Sequence, residues 1–74
     1  MLYTYRMRED TIHDEDGKKY TVYGIEAINS NGEILESYPD IFFDRQKAES
    51  FVNLCNENDV ELVYLAYVVE DALV

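Results

Sequence analysis

The first part of the chain alternates apolar and polar residues, which is typical of β-strands with one buried face. In residues 1–12 the alternating apolar positions are Tyr3, Tyr5 and Met7. Residues 18–28 are rich in Tyr, Thr, Val and Ile, which favour strands. Gly17 lies between the two segments and tolerates the positive φ that closes a hairpin. The pattern predicts two antiparallel strands.

The register of this hairpin is predicted from its apolar rows. Pairing Tyr3 with Ala27, Tyr5 with Ile25 and Met7 with Tyr23 places both rows on one face. A slip of one residue would scatter them over both faces. The opposite face then carries Thr4, Arg6, Arg8 and Glu26.

A third strand is predicted from Glu33 to Tyr38, after the turn signal Asn31-Gly32. Whether Ile34 or Leu35 points to the core depends on a turn register that the sequence leaves open. Pro39 has no backbone N–H to donate, so we expect pairing to end there. The next apolar residues, 41–43, are then expected to form an apolar plug that seats the following helix.

The spacing of apolar residues changes to that of a helix after Asp44, which is a good N-cap. A buried stripe is predicted at Ala48, Phe51, Val52 and Cys55. The helix is expected to span about residues 45–57 and to end at the polar cluster 56–59.

Residues 60–74 fit two patterns. As a helix they form one apolar stripe from Leu62 to Leu73; as a strand, Glu61 to Val69 would be apolar on both faces. We prefer the helix because the stripe persists and residues 70–73 favour helix. The predicted fold is α+β: one domain of residues 1–74, with a three-stranded antiparallel β-meander followed by two α-helices packed on one face.

Three segments carry a resemblance to a known family, in addition to the strands: Gly24-Ile25-Glu26-Ala27, residues 38–44 (YPDIFFD) and residues 69–73 (VEDAL). With them the chain resembles a family of small uncharacterised bacterial proteins, classed as a domain of unknown function. The resemblance covers nearly the whole chain. It implies no activity and transfers no functional residue.

Charge narrows the range of functions. The chain has 74 residues, 16 acids, six bases and a formal net charge of −10. Residues 1–47 hold all six bases and ten acids, whereas residues 48–74 hold six acids and no base. Such a field repels phosphates, so we expect no direct binding to nucleic acid or membrane. A single cysteine and no signal-peptide pattern predict a cytoplasmic protein.

No residue set satisfies the needs of a metal site or an active site. The acidic turn 13–17 resembles a calcium loop, but with Gly17 at position 6 the outer ligand positions fall on Ile12 and Tyr23. The single histidine, His13, is expected on an exposed turn and Cys55 in the core, so the two are not expected to meet. We therefore predict no catalytic, cofactor-binding or metal-binding residues, and no cofactor.

The C-terminal helix has more apolar residues than one buried stripe can use. Either its own domain covers the surplus, or another chain does. For the second case we predict a partner interface, and self-association through the same face would give a weak homodimer. The predicted interface residues are Val63, Tyr64, Tyr67, Val68 and Asp71.

The function expected from these features is a small noncatalytic protein-interaction or regulatory module. Aromatic surface framed by acids suits a protein partner with a basic rim. One alternative is a nucleic-acid mimic that inhibits a DNA-handling enzyme, such as a restriction or CRISPR nuclease. The acids that would then replace phosphates are Glu49, Glu57, Asp59, Glu61, Glu70 and Asp71. A second alternative is a purely structural homo-oligomer.

Overall fold

Two successive hairpins build one antiparallel sheet, and a helical segment follows them. The structure is a computed structural model that describes residues 2–73. Met1, the first residue of the first predicted strand segment, and Val74, the last residue of the predicted C-terminal helix, lie outside the described residues. The sheet order is β1-β2-β3. The elements are β1 (Tyr3–His13), β2 (Lys19–Asn29), β3 (Ile34–Phe42), α1 (Arg45–Glu57), a 3₁₀ turn (Leu62–Tyr64) and α2 (Leu65–Leu73). The predicted α+β fold is confirmed.

Both hairpin turns have the same hydrogen-bonded structure. Asp14 Oδ1 accepts from the amides two and four residues later, at 2.9 and 2.8 Å. Asn29 Oδ1 does the same in the second turn, at 3.0 and 2.9 Å. The fourth residue of each turn is a glycine with positive φ, 79° at Gly17 and 81° at Gly32. An Asx side chain and a glycine therefore fix both loops at five residues.

The predicted register of the first hairpin is wrong by two residues. Tyr5 pairs with Ala27 and Met7 with Ile25, instead of Ile25 and Tyr23. The side chains keep the predicted faces because the shift is even. The cause is the Asp14 turn, which encloses a longer loop than the predicted pairing allows.

The prediction that pairing ends at Pro39 is wrong, since β3 continues to Phe42. Ile25 pairs with Tyr38 and Tyr23 pairs with Phe42, so three residues of β3 lie opposite Gly24 alone. This bulge takes Pro39 out of the ladder and gives Asp40 a φ of 58°. A Cβ at position 24 would overlap the Tyr38 carbonyl oxygen and lie 2.8 Å from the Pro39 Cα.

Residues 41–43 therefore do not form a separate plug. Ile41 and Phe42 belong to β3, although Phe42 does pack on α1, with its ring centroid 5.5 Å from that of Phe51. Phe43 is exposed. Neither Ile34 nor Leu35 points into the core. A second irregularity in the pairing of β2 with β3 follows Ala27, and both side chains are exposed.

Helix α1 matches its predicted bounds. Asp44 is its N-cap and accepts a 2.8 Å hydrogen bond from the Gln46 amide. Three residues of the predicted stripe, Ala48, Val52 and Cys55, are buried, whereas the fourth, Phe51, is only half-buried. The helix ends at Glu57 with Asn58 as its C-cap, and the next residue, Asp59, has a φ of 48°.

The C-terminal segment is helical, as preferred, from the 3₁₀ turn at Leu62 through α2. Helix α1 lies mainly over β1 and β2, and α2 contacts β3. Within residues 2–73 no helix is long and apolar enough to cross a membrane. The buried core between helices and sheet consists of Tyr5, Ile25, Ala27, Val52, Cys55, Leu65 and Val69.

Candidate protein-binding surface

Two tyrosines of β1 hold the linker between α1 and α2, which is residues 58–64. The Tyr5 hydroxyl donates a 2.6 Å hydrogen bond to the Val60 carbonyl, and the Leu62 amide donates a 2.8 Å bond to the Tyr3 hydroxyl. The two rings are in edge contact, with centroids 5.9 Å apart. Burial, followed by the neighbouring Tyr3, raises the pKa of Tyr5 to about 12. Tyr5 therefore keeps its proton, and its bond to the Val60 carbonyl, even above the ordinary tyrosine pKa of 10.0.

The C-terminal end of α1 is fixed to the same strand by Asn56. Its Oδ1 accepts from the Tyr5 amide at 2.9 Å, and its Nδ2 donates to the Tyr5 carbonyl at 2.8 Å. Thr4 adds a hydroxyl contact to Oδ1 at 3.1 Å. Because β1 also holds the linker, the relative position of α1 and α2 is set by the edge of the sheet.

An apolar groove lies between the two helices held in this way. It has a volume of about 340 Å³. Most of its lining residues are apolar, and Asn58 and Asp71 contribute an amide and a carboxylate. Leu54 stands on its wall and is 56% exposed. The groove is lined by Phe51, Leu54, Cys55, Asn58, Val60, Val68, Asp71 and Ala72.

The structure divides the predicted interface residues into two groups. Val68 and Asp71 line the groove. Val63, Tyr64 and Tyr67 lie outside it and are 71, 56 and 66% exposed. We call these three residues the outer face. Together the groove and the outer face form the candidate surface, and its role as an interface stays a prediction.

A second groove meets the first along α1. It includes Phe42 and Lys47, and it shares Phe51 and Leu54 with the interhelical groove. Leu54 is thus the ridge between two depressions. Sequence analysis missed Leu54, although an apolar residue outside the buried stripe of α1 was a usable signal.

The charges around this surface are acidic. The six acids of residues 48–74 are all exposed, and this segment has no lysine or arginine. The surface thus presents apolar side chains in a negative field. The exposed acids are Glu49, Glu57, Asp59, Glu61, Glu70 and Asp71.

The arginines do not offset this field, because each is paired with an acid. On the sheet face opposite the helices, Arg6 pairs with the buried Glu26 across the strands at 2.6 Å. Arg8 binds both carboxylate oxygens of Asp10, at 2.6 and 2.7 Å, and the bond lowers the pKa of Asp10. Arg45 binds Glu49 at 3.0 Å along α1.

The candidate nucleophile and base lie apart in the fold. Cys55 is buried among the core residues, and burial raises the pKa of its thiol, which opposes thiolate formation. His13 is exposed at the end of β1, next to the first turn. Among residues 2–73, no three His, Cys, Asp or Glu side chains are grouped closely enough to hold a metal ion.

Comparison with known protein families identifies a family for this chain. A model for a family of unknown function, DUF6514, matches residues 1–74. The chain belongs to this family. No curated protein and no solved structure matches this DUF6514 chain. The resemblance to a domain of unknown function is thereby confirmed, and the DUF6514 match assigns no chemistry to the surface.

Proposed function

We propose that this domain is a noncatalytic protein-binding module that contacts its partner through the interhelical groove and the outer face. The proposal is carried by the exposure of Leu54 on the groove and of Tyr64 and Tyr67 on the helical segment that also carries the groove residue Val68. Exposed aromatic and leucine side chains that adjoin an apolar groove are typical of interaction sites. We also propose that the module acts in the cytoplasm.

The charge around this surface favours a partner with basic residues at the edge of its contact surface. Exposed acids surround the apolar side chains, so a partner with a basic rim gains favourable encounter and orientation. The apolar contacts would supply most of the affinity, because exposed charge pairs contribute little. An interface of this type depends weakly on ionic strength.

Affinity capture from the native lysate tests the proposal. The wild type is compared with Tyr64→Glu/Tyr67→Glu and with Leu54→Glu, and Asn53→Glu is the control. Asn53 is exposed on α1 and lines neither groove, so its variant adds charge without touching the surface. We expect a protein retained by the wild type and the control and lost with a surface variant. An unchanged set of proteins with all variants would contradict the proposal.

The same capture, repeated across salt concentrations, separates this module from a nucleic-acid mimic. A mimic binds its target through many charges, so its capture falls steeply as salt rises. The proposed module keeps its partner at high salt and loses it with the apolar variants. A target lost with salt but retained by both surface variants would favour the mimic.

A further inference from the structure

We propose that the interhelical groove binds one basic amphipathic helix of a partner protein. This inference rests on the proposed function and adds the form and charge of the ligand. The walls of the groove are α1 and α2, and its floor includes the buried Cys55.

The helical walls of the groove favour a helical ligand over an extended one. An extended segment binds by adding a strand to an open sheet edge, through main-chain hydrogen bonds. Here the walls are helices, whose backbone groups are bonded within each helix. Affinity must come from side chains placed in the groove, as when an amphipathic helix presents residues at i, i+3, i+4 and i+7.

The volume fits this form of recognition. A volume of about 340 Å³ is within the range of ordinary ligand pockets, roughly 300–1,000 Å³, and is enough for several aliphatic side chains. The lining is mostly apolar, with Phe51, Val60, Val68 and Ala72 around the exposed Leu54. Releasing water from such a surface favours apolar anchors.

The charge of the surroundings selects a basic ligand. Asp71 lies on the groove itself, and none of the groove's lining residues is a lysine or arginine; Lys47 lines the second groove, on the other side of Leu54. A second copy of this chain fits poorly, since each copy carries a net charge of −10 and α2 brings Glu70 and Asp71 to the contact. The apolar stripe of α1 is also already buried in its own core.

Fluorescence titration with a synthetic peptide tests the inference. The probe is a 14-residue helix with leucines at i, i+3, i+4 and i+7, lysines elsewhere and one tryptophan. The protein has no tryptophan, so the emission reports the peptide alone. A matched peptide with glutamates in place of lysines is the control ligand. We expect the lysine peptide to bind and the glutamate peptide not to bind.

The decisive variant is Leu54→Glu. It adds a negative charge, which by attraction alone would tighten binding of the lysine peptide. We expect at least about tenfold weaker binding, because the apolar contact is lost. Asn53→Glu carries the same charge change and should bind as tightly as the wild type or more tightly. Asp71→Asn should weaken binding about two- to fivefold, the usual effect of an exposed charge pair.

In the titration, binding of both peptides alike, tighter binding to Leu54→Glu, or a peptide-free dimer that the peptide dissociates would overturn the inference. Because Leu54 is exposed, its variant should stay folded, and amide chemical shifts on the wild type give a second measurement. Shifts confined to residues 51–72 support the groove; shifts on the opposite sheet face contradict it. If capture depends on Tyr64 and Tyr67 but the lysine peptide fails, the proposed function stands and this inference falls.

Discussion

The side chain of Asn56 pairs with the backbone of Tyr5 as a neighbouring strand would. The carboxamide accepts from the Tyr5 amide at 2.9 Å and donates to the Tyr5 carbonyl at 2.8 Å. β1 is an edge strand, so these two backbone groups have no partner strand on that side. One side chain from the end of α1 thus satisfies the edge and positions the helix.

Asn56→Ala is expected to lower the free energy of unfolding by about 1–3 kcal/mol, because two partly buried backbone groups lose their partners. Asn56→Asp should fall between the wild type and Asn56→Ala, since a carboxylate accepts from the amide but cannot donate to the carbonyl. Urea denaturation measures all three. Asn53→Ala, on the exposed side of the same helix, should change stability by less than about 0.5 kcal/mol. Equal losses at positions 53 and 56 would contradict the role of Asn56.

Tyr5→Phe should give a pH-dependent loss of stability. At neutral pH the variant lacks the bond to Val60 and should be less stable by about 1 kcal/mol. The folded-state pKa of Tyr5 is raised from 10.0 to about 12 by burial and by Tyr3. The neutral phenol therefore stabilises the fold fully below pH 10, and this contribution is lost as pH rises from 10 to 12.

The advantage of the wild type over Tyr5→Phe should accordingly shrink across that pH range. Denaturation of both proteins at several pH values measures it, and the difference between them removes the contribution of the other titrating groups. A constant difference from neutral pH to pH 12 would show that Tyr5 ionises alike in the folded and unfolded chains.

The elements of this fold follow from local patterns, but the contacts between them do not. The N-cap Asp44 and the stripe from Ala48 to Cys55 predict α1 because both signals are local in sequence. The register of β1 on β2 could not be predicted, because it depends on hydrogen bonds from one Asp14 oxygen to two amides. The bonds of Asn56 to Tyr5 could not be predicted either, because a polar side chain near a helix end indicates only that the helix ends there.

The candidate surface was predictable in part for the same reason. The excess of apolar residues on α2 identifies Tyr64 and Tyr67 as surface candidates without any tertiary information. The groove could not be predicted because it depends on the distance between α1 and α2. That distance is set by contacts of Asn56, Val60 and Leu62 with Tyr3 and Tyr5 on β1, more than 50 residues away in sequence. Leu54 and Val68 come together only through those contacts.

Gly24→Ala should destabilise the fold by about 3 kcal/mol, the upper end for an overpacked site. The added methyl group meets backbone atoms of Tyr38 and Pro39, which cannot rotate away. Gly32→Ala is the matched comparison, because its Cβ meets open space and only its positive φ opposes the change, at about 1 kcal/mol. Thermal or urea melts compare the two. A smaller effect at position 24 than at position 32 would mean that the β3 bulge adjusts freely.

We expect no binding to duplex DNA or RNA at physiological salt. Arg6, Arg8 and Arg45 are paired with Glu26, Asp10 and Glu49, so phosphate contacts would have to break these pairs within a chain of net charge −10. A gel mobility shift with random-sequence duplex at micromolar protein checks this. Retardation would indicate a local basic patch, and Lys18→Glu/Lys19→Glu would then identify it at the first hairpin.

Self-association through the outer face should be weak and favoured by salt. Val63, Tyr64 and Tyr67 offer an apolar contact, but a two-fold arrangement would bring Glu61, Glu70 and Asp71 of each copy together. At about 1 M salt the screening length falls to about 3 Å, so this repulsion is largely removed. Light scattering over a concentration series should give the 8.7 kDa monomer at low salt and a rising mass at high salt.

The variants Tyr64→Glu and Tyr67→Glu test whether the rise in mass at high salt comes from self-association through the outer face. Both side chains are more than half exposed, so neither variant should lose more than about 0.5 kcal/mol of stability. Both should remain monomeric at high salt, because the added carboxylates replace apolar contact area in each copy. If the mass still rises with both variants, the copies meet elsewhere. If both variants instead unfold easily, the tyrosines contribute to the core and the outer face is not a free surface.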